Sequence, residues 1–279
     1  MSTIKISLFN ATGLARQALI PILNIVQSSS VLLVTETWLL RPLKYPTHWK
    51  QFHTYGVKTQ PLATKGHQGI CLLVNPNCNC HVHHLAQQES PLSQYKLSFT
   101  IANILVHCLY LPPHLNNQTV KLILDSLPTA NAHTNQTILC GDFNARLGTH
   151  TGDHFTNSRG NLLTSWIQQN NIIIWNQRLA YGQPTYLSHR GSSIIDLFMS
   201  NTELIEPSMA IHHDLSLDSN HKLVSFSFQA TADVPRLTRH PRYTWHLGKL
   251  RDPNKCKTYV ERFRELSESL LHFDGTHIP

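Results

Sequence analysis

The sequence has no apolar run that approaches the roughly 18–20 residues needed by a membrane-spanning helix. Its first residues, Met1–Lys5, lack the layout of a signal peptide. Cysteine is sparse: six residues in a chain of 279 are too few for the disulfide scaffold of a small secreted protein. These absences predict an intracellular protein that is not membrane-associated and that keeps its thiols reduced.

Charged residues are also few, and acidic residues are fewer than basic ones. Charged residues make up 14% of the chain, with 16 Asp and Glu against 23 Lys and Arg. The net charge of +7 favours a polyanionic partner such as DNA, although a modest positive charge can also serve solubility alone. With 41% hydrophobic residues the chain can form one large domain with an extension, so each of its few acids beside a predicted strand becomes a candidate for chemistry.

The segment Ile138–Arg146 contains the clearest such candidate. The apolar run from Thr137 to Cys140 predicts a buried strand, and Gly141 is expected to end it with a turn. Asp142 and Asn144 then lie at the strand's carboxyl end, where layered α/β folds tend to bind ligands. A carboxylate and an amide there suit a phosphate and an attacking water, but a turn whose side chains bond only their own backbone is an alternative.

Two further polar residues follow predicted strands near the amino terminus. Asn10 ends a half-buried strand that alternates from Ile4 to Leu8, and Glu36 directly follows the apolar strand Val31–Thr35. A carboxylate beside a buried strand is costly unless a cation or hydrogen bonds meet it. Glu36 is therefore a candidate metal ligand, with an ordinary loop glutamate as the alternative.

Three more candidates lie later in the chain. Tyr110 is at the tip of a predicted hairpin strand that two prolines stop, and its phenol could donate to a phosphate or simply face water. Asp196 interrupts the apolar strand predicted for residues 194–199, so it needs a partner such as histidine. His221 stands just before the last predicted strand, but it is one of 19 histidines and could be an ordinary loop residue.

The rest of the pattern predicts helices and short strands. Helices are expected at residues 14–27, 119–127 and 160–170, with Pro21 as a break in the first, and a short strand at residues 172–175. The segment Asn77–His84 has enough Cys and His for zinc, but its spacing matches no standard finger. A surface β-edge is the simpler expectation for that segment.

Six separated motifs occur in one order along residues 1 to about 230, and together they resemble a known family. They resemble the endonuclease/exonuclease/phosphatase superfamily, and more closely the apurinic-type endonuclease domains at the start of non-LTR (LINE-type) retrotransposon proteins. The motifs are Phe9-Asn10, Thr35-Glu36-Thr37-Trp38, Tyr110-Leu-Pro-Pro113, Gly141-Asp-Phe-Asn144, Ser193-Ile-Ile-Asp196 and Ser219-Asn-His221.

The resemblance implies a four-layered α/β/β/α sandwich of two mixed β-sheets, with the site at one edge. We expect this domain to cover residues 1–230 and a linker and helical extension to cover 231–279. The extension is similar to the connector that precedes the reverse transcriptase in longer retroelement proteins. Its predicted helix, from Asp252-Pro253 to about Leu271, carries an apolar stripe that either awaits a missing neighbour or packs back on the sandwich; the stripe is Tyr259, Phe263, Leu266 and Leu270.

The resemblance also implies roles for individual residues. Glu36 would be the principal Mg²⁺ ligand, with Mn²⁺ as an alternative ion, and Asn10 and Asn220 would complete the metal site. Asp142 would orient or deprotonate the attacking water, and Asn144 would fix the scissile phosphate.

The remaining roles concern the phosphate and the rest of the substrate. Tyr110 would steady the phosphate's developing charge, and Asp196 would orient His221 and favour its charged form. The candidate substrate-binding residues are Arg146, Thr185 and Ser193.

The implied function is a Mg²⁺-dependent DNA endonuclease that nicks target DNA for retrotransposition. We expect it to act as a monomer, in the nucleus, beside a reverse transcriptase domain in the full-length element. One departure matters: the family usually has Asp-His where this chain has Asn220-His221, which removes a negative charge from the metal site. A phosphatase or phosphodiesterase acting on small or lipid phosphoesters, and a catalytically weakened nucleic-acid-binding remnant, are the alternatives.

Overall fold

A computed structural model describes residues 2–14, 16–42, 48–58, 60–86, 90–128, 136–215, 217–230 and 252–271. The chain divides into two units, residues 1–237 and 238–279. The polar linker predicted at Thr231–Pro241 and the segment Tyr243–Leu250 lie outside the described residues.

The strands and helices of the described residues are as follows. The strands are β1 (Ser2–Asn10), β2 (Val31–Thr35), β3 (Lys50–Thr54), β4 (Ile70–Val74), β5 (Val82–His84), β6 (Lys96–Ile101), β7 (Ile104–Tyr110), β8 (Thr137–Asp142), β9 (Ile173–Ile174), β10 (Tyr186–Ser188), β11 (Gly191–Ser193), β12 (Asp196–Ser200), β13 (Ile205–His212) and β14 (Leu223–Ala230). The helices are α1 (Arg16–Ile25), α2 (Asn117–Asp125), α3 (Ser158–Gln169), α4 (Trp175–Leu179) and α5 (Pro253–Leu271).

Two mixed sheets of six strands each contain most of these strands. The first has the order β13-β14-β1-β2-β4-β3 and the second the order β5-β6-β7-β8-β12-β9. Each sheet has one parallel pair, β1–β2 in the first and β7–β8 in the second, and its other pairs are antiparallel. Strands β10 and β11 form a separate hairpin.

Alternating apolar residues on the central strands produce the layers. Ile4 and Ile6 of β1 and Ile138 and Cys140 of β8 all lie in one core shared by the two sheets. The opposite face of the first sheet packs on α1, and that of the second sheet packs on α2 and α3. Because residues two apart on a strand point to the same face, one strand supplies two different cores. The predicted four-layered α/β/β/α sandwich is confirmed.

Gly141 does not end its strand, as the sequence pattern predicted, but lies inside β8, which continues to Asp142. Its φ of +137° is a conformation that residues with side chains rarely adopt. A Cβ at this position would overlap the backbone carbonyl oxygen of Leu109 on the neighbouring parallel strand. The glycine therefore serves close strand packing rather than a turn.

Three other local predictions also need correction. Helix α1 continues through Pro21, which lies on the exposed side of the helix, where water can replace the missing backbone hydrogen bond. The strand predicted at residues 172–175 is only Ile173–Ile174, and Trp175 begins α4 with its indole N–H donating to Ser200 Oγ (2.9 Å). Asp196 begins β12 instead of interrupting a strand.

The segment Asn77–His84, which is rich in Cys and His, ends in β5. This is an edge strand of the second sheet, in agreement with the surface β-edge expected from the sequence. Within the described parts of the chain, the one group of His, Cys, Asp and Glu with metal-compatible spacing lies elsewhere, so a zinc site at Asn77–His84 has no support. All six cysteines are free thiols.

In the second unit, α5 forms where the sequence predicted a helix, and the Tyr259 and Phe263 rings stack along it with centroids 6.3 Å apart. Among the described residues, no helix is both long enough and apolar enough to span a membrane.

Candidate active site

Polar residues from both sheets meet at one edge of the sandwich. Asn10 ends β1 and Glu36 follows β2, and because these strands are parallel neighbours, both residues reach the same edge. Tyr110 and Asp142 end the parallel strands β7 and β8 and are paired in register. Asp196 begins β12 directly opposite Asp142. The parallel pairs thus deliver four of the candidates to one place.

Asn10 connects the two sheets through its side chain. Its buried Nδ2 donates to Glu36 Oε1 (2.9 Å) and to Asp142 Oδ2 (2.8 Å). The Thr12 backbone N–H donates to Asn10 Oδ1 (3.0 Å), which fixes the orientation of the amide. Ser219 Oγ donates to the Asn10 carbonyl (2.8 Å) and ties the loop before β14 to the same point. Asn10 therefore orients both carboxylates.

Asp142 is fully buried and accepts hydrogen bonds at both oxygens. The Asn144 backbone N–H donates to Oδ1 (2.9 Å) and the Asn144 Nδ2 donates to Oδ2 (3.0 Å). The first of these bonds is the local turn that the sequence left open as an alternative. Because Asp142 also accepts from Asn10 on the other sheet, a local turn does not account for its position.

His221 lies against two acids. Its Nδ1 is 2.9 Å from Asp196 Oδ2, and its Nε2 is 4.0 Å from Asp142 Oδ2. The Tyr186 ring packs edge-on against the imidazole, with centroids 4.9 Å apart, and only 6% of His221 is exposed. The Thr185 hydroxyl in turn holds Asp196, because it accepts a hydrogen bond from the Asp196 backbone N–H (3.0 Å). The hydrogen bond with Asp196 therefore fixes the orientation of the His221 ring.

The charges of these groups are strongly coupled. Burial raises the pKa of Asp142 to about 7, and the nearby charge of Asp196 acts in the same direction. Burial alone lowers the pKa of His221, but the charge and hydrogen bond of Asp196, followed by the charges of Asp142 and Glu36, raise it to about 9. The imidazole is therefore a cation at neutral pH, and its Nε2 is a donor.

Tyr110 lies beside the carboxylates and stays protonated. Burial raises the pKa of its phenol, and the charges of Glu36 and Asp142 and a hydrogen bond with Glu36 raise it further. A neutral phenol can donate to a phosphate oxygen. Glu36 is only partly buried, and its backbone is in the left-handed region (φ +50°), a strain that is typical of functional sites.

Glu36, Asp142 and His221 form a group whose possible ligand atoms all lie within 4.8 Å of one another. Carboxylate oxygens suit hard divalent cations such as Mg²⁺ or Mn²⁺, which take oxygen ligands. A protonated imidazole cannot bind a metal ion, so the donors present fit a cation held by Glu36 and Asp142 with His221 beside it. Asn220, the third predicted metal residue, is exposed on the rim of the cleft next to His221.

A cleft of about 690 Å³ opens at this edge, and its lining includes Glu36, Asn144 and His221. Of the predicted substrate-binding residues, Arg146 and Ser193 also line it. Thr185 is fully buried, and the structure places it behind Asp196 rather than in the cleft lining.

Arg146 is held in place by residues that the sequence did not point out. Its guanidinium donates to the buried carboxylate of Asp153 and to the Ser192 carbonyl (3.0 Å), and it lies over the Phe155 ring, 5.1 Å from the centroid. Asp153 also accepts from the Ile194 N–H (2.9 Å). The ion pair thus joins the loop after β8 to the hairpin beside the cleft.

Arg159 and Asn157 are further supports that sequence reasoning missed. The buried Arg159 guanidinium donates to five backbone carbonyls, those of Leu111, Pro112, Pro113, Leu115 and Phe143. Asn157 caps α3 through the Gly160 N–H (2.7 Å) and donates to the Asn144 carbonyl (3.1 Å). Asn157, three residues before Gly160 at a helix start, carried a capping signal in the sequence, whereas Arg159 carried none.

The fold is the sandwich that the resemblance to the endonuclease/exonuclease/phosphatase superfamily implied, and solved nuclease structures share it. Residues 104–225, which include Tyr110, Asp142 and His221, match the family model described as endonuclease-reverse transcriptase. A comparison with curated protein sequences finds no match.

Three solved structures show the similarity of fold. The endonuclease domain of TRAS1, a telomere-specific non-LTR retrotransposon, has a TM-score of 0.60 at 16% identity over 82% of this chain and 99% of its own. An AP endonuclease from Archaeoglobus fulgidus has a TM-score of 0.60 at 12% identity over 81% and 99%. The 3'-5' exonuclease NExo from Neisseria meningitidis has a TM-score of 0.58 at 14% identity over 81% and 100%.

Proposed function

We propose that this protein is a divalent-metal-dependent DNA endonuclease that nicks target DNA, with Mg²⁺ as its ion. The observation that carries the proposal is the group of Glu36, Asp142 and His221, whose possible ligand atoms lie within 4.8 Å of one another at the edge of the sandwich. The net charge of +7 supports a polyanionic substrate. The matched endonuclease-reverse transcriptase family and the TRAS1 endonuclease domain support a role in retrotransposition beside a reverse transcriptase. We also propose that the protein acts as a monomer in the nucleus.

Phosphodiester hydrolysis needs charge neutralisation at the phosphate, a water placed in line and a stabilised leaving oxygen. The His221 cation donates from Nε2 to a non-bridging phosphate oxygen, and the Tyr110 hydroxyl donates to another. Asn144, on the cleft wall, holds the phosphate through its amide. Asp142 orients the attacking water and accepts its proton, and Asp196 keeps the imidazole aimed at the cleft.

The donor set fits Mg²⁺ held by Glu36 and Asp142, with Asn10 orienting both carboxylates. When bound, the ion supplies positive charge that offsets the developing charge of the phosphate and leaving oxygen. Asn220 faces the same cleft and offers an amide oxygen in place of the usual carboxylate.

Conversion of supercoiled plasmid to open circles in Mg²⁺ tests the proposal. The parent chain should nick, and Glu36→Ala should nick about 10²–10³-fold more slowly, the range typical for loss of one charge-stabilising group. Glu203→Ala is the matched control, because it removes a carboxylate from an exposed ion pair with Arg178, and it should leave the rate unchanged. Equal rates for Glu36→Ala and the parent would assign the nicking to another site or to a contaminant.

A parallel assay of phosphate release from a small phosphoester separates the endonuclease from a phosphatase of the same fold. Plasmid nicking without small-phosphoester release supports the proposal. Release from the small substrate without nicking would identify a phosphatase instead. DNA retention that falls with salt, without any Mg²⁺-dependent cleavage, would identify a nucleic-acid-binding remnant.

Asn220→Asp is expected to raise the nicking rate at limiting Mg²⁺ by roughly fivefold, because one added charge near a cation in a watery site is worth about 1 kcal/mol. The gain should vanish at saturating Mg²⁺, where the site is already filled. The matched control is Asn171→Asp, which adds the same charge at the exposed end of α3. Equal effects of both changes would show a general charge effect rather than a metal-site effect.

A further inference from the structure

A second cleft, which we call the Trp38 pocket, is formed by residues 13–14, 37–42, 58 and 63–65. Its volume is about 800 Å³, within the roughly 300–1,000 Å³ typical of ligand pockets. The lining combines apolar residues around Trp38 with three cations, Arg41, Lys58 and Lys65, and contains no acid among the described residues. An apolar wall with positive charges suits a flat ring that is joined to negatively charged groups.

The Trp38 pocket is built from the same two segments as the active site. The Gly13 N–H donates to the Glu36 carbonyl (2.8 Å), and the Leu14 N–H donates to the Thr37 carbonyl (3.1 Å). Trp38 is two residues from Glu36, so their Cα atoms are at most about 7 Å apart. Thr12 and Glu36 line the active-site cleft, and the next residue of each segment, Gly13 and Thr37, lines the Trp38 pocket, so the two clefts adjoin.

Trp38 is held in an unfavourable backbone conformation. Its φ of +57° lies in the left-handed region, which bulky residues rarely adopt. The backbone is fixed by the Gln68 carbonyl, which accepts from the Trp38 N–H (2.8 Å), and by the Gly66 N–H, which donates to the Trp38 carbonyl (2.9 Å). A Cβ at Gly13 would overlap the indole ring, so the glycine leaves room for it. Trp38 is half-buried and forms part of the pocket lining.

We propose that the Trp38 pocket binds an unpaired base of the DNA strand, one or two nucleotides from the scissile phosphate. The base stacks on Trp38, and Arg41, Lys58 and Lys65 meet the phosphates on either side of it. Stacking on an aromatic ring tolerates any base. Taking a base out of a duplex costs free energy, and this cost is smallest for a mismatched or unpaired base. The protein therefore prefers DNA that contains an unpaired nucleotide, and it reads this structure rather than a base sequence.

The proposal rests on the proposed function for its choice of DNA as ligand, but its test needs no cleavage. End-labelled duplexes, one fully paired and one with a single unpaired nucleotide, are titrated with the protein in EDTA, and binding is followed by fluorescence anisotropy. The parent should bind the second duplex more tightly. Trp38→Leu should weaken that binding about tenfold or more, the loss expected for one stacked base, and change binding of the paired duplex less than about twofold.

A second variant tests the pocket without touching Trp38. Ala63→Trp fills the pocket from another part of its lining and should remove the preference for the unpaired nucleotide, whereas Ala63→Ser should keep it. Thermal unfolding checks that each variant is folded. The proposal is overturned if the preference survives in both Trp38→Leu and Ala63→Trp, or if binding of the two duplexes falls equally.

The outcomes also separate this proposal from the proposed function. A pocket-dependent preference in a protein that never nicks DNA in Mg²⁺ supports the pocket and contradicts the endonuclease. Glu36-dependent nicking without any preference for the unpaired nucleotide supports the endonuclease and contradicts the pocket.

Discussion

Asp142→Asn is expected to slow plasmid nicking by about 10²–10⁴-fold, the range associated with loss of a positioned general base. Asparagine has nearly the same shape, and with its oxygen in the Oδ2 position it can still accept from the side-chain amides of Asn10 and Asn144. It cannot take a proton from water, and it removes half of the acidic charge that holds the cation. The change therefore removes chemistry while keeping most of the local contacts.

The measurement compares initial nicking rates and metal-free DNA binding of the parent and the variant. Binding should stay within about twofold, because the phosphate-binding cations are untouched. Asp214→Asn, which removes an exposed carboxylate from the turn after β13, is the matched control and should nick at the parental rate. An Asp142→Asn protein that nicks within tenfold of the parent would exclude Asp142 as the base.

The positions of the site residues could be predicted because they follow strongly apolar strands. Asn10, Glu36, Tyr110 and Asp142 each end or follow a buried strand, and the strands pair in parallel as β1–β2 and β7–β8. Parallel neighbours bring their carboxyl ends to the same edge, so strand order is enough to gather these four side chains. The ordered motifs, through the resemblance, predicted that these residues share one edge, but the strand order itself was not predicted.

Two of the edge strands, β3 and β13, could not be predicted in the same way. Four of the eight residues of β13 are exposed, and the strand contains a register shift, while β3 is only half-buried. An edge strand buries little apolar surface, so its sequence carries no clear alternation. The short hairpin of β10 and β11 is also only partly buried, so no apolar alternation marks it in the sequence.

The supports of the site were also hidden from the sequence. Arg159 donates to carbonyls on the chain after β7 and after β8, which are more than 15 residues away in sequence. Such a contact depends on the packing of α3 against the second sheet, and no local pattern encodes it. Thr185 was predicted to contact substrate, but its hydroxyl accepts from the N–H groups of Ile195 and Asp196, a role that only the fold reveals.

Gly141→Ala is expected to destabilise the first unit by about 3–5 kcal/mol, near the upper end of single substitutions. The new methyl group would overlap the backbone of Leu109, which belongs to the adjacent strand β7 and cannot rotate away as a side chain could. Relief requires the parallel strands β7 and β8 to separate at the point where they deliver Tyr110 and Asp142. The same change should therefore reduce both stability and nicking.

The matched control is Gly191→Ala on the exposed hairpin. Gly191 has a nearly identical φ (+131° against +137° at Gly141), but no atom lies within 4 Å of the position that its Cβ would take. Its substitution measures the backbone cost alone, about 1–2 kcal/mol. Thermal unfolding should show a fall of roughly 6–20 °C for Gly141→Ala, since 1 kcal/mol corresponds to about 2–4 °C in a unit of this size. Because the two glycines have nearly the same φ, the difference between the variants reports the overlap between strands. Equal shifts would show that strand packing at Gly141 does not hold the site together.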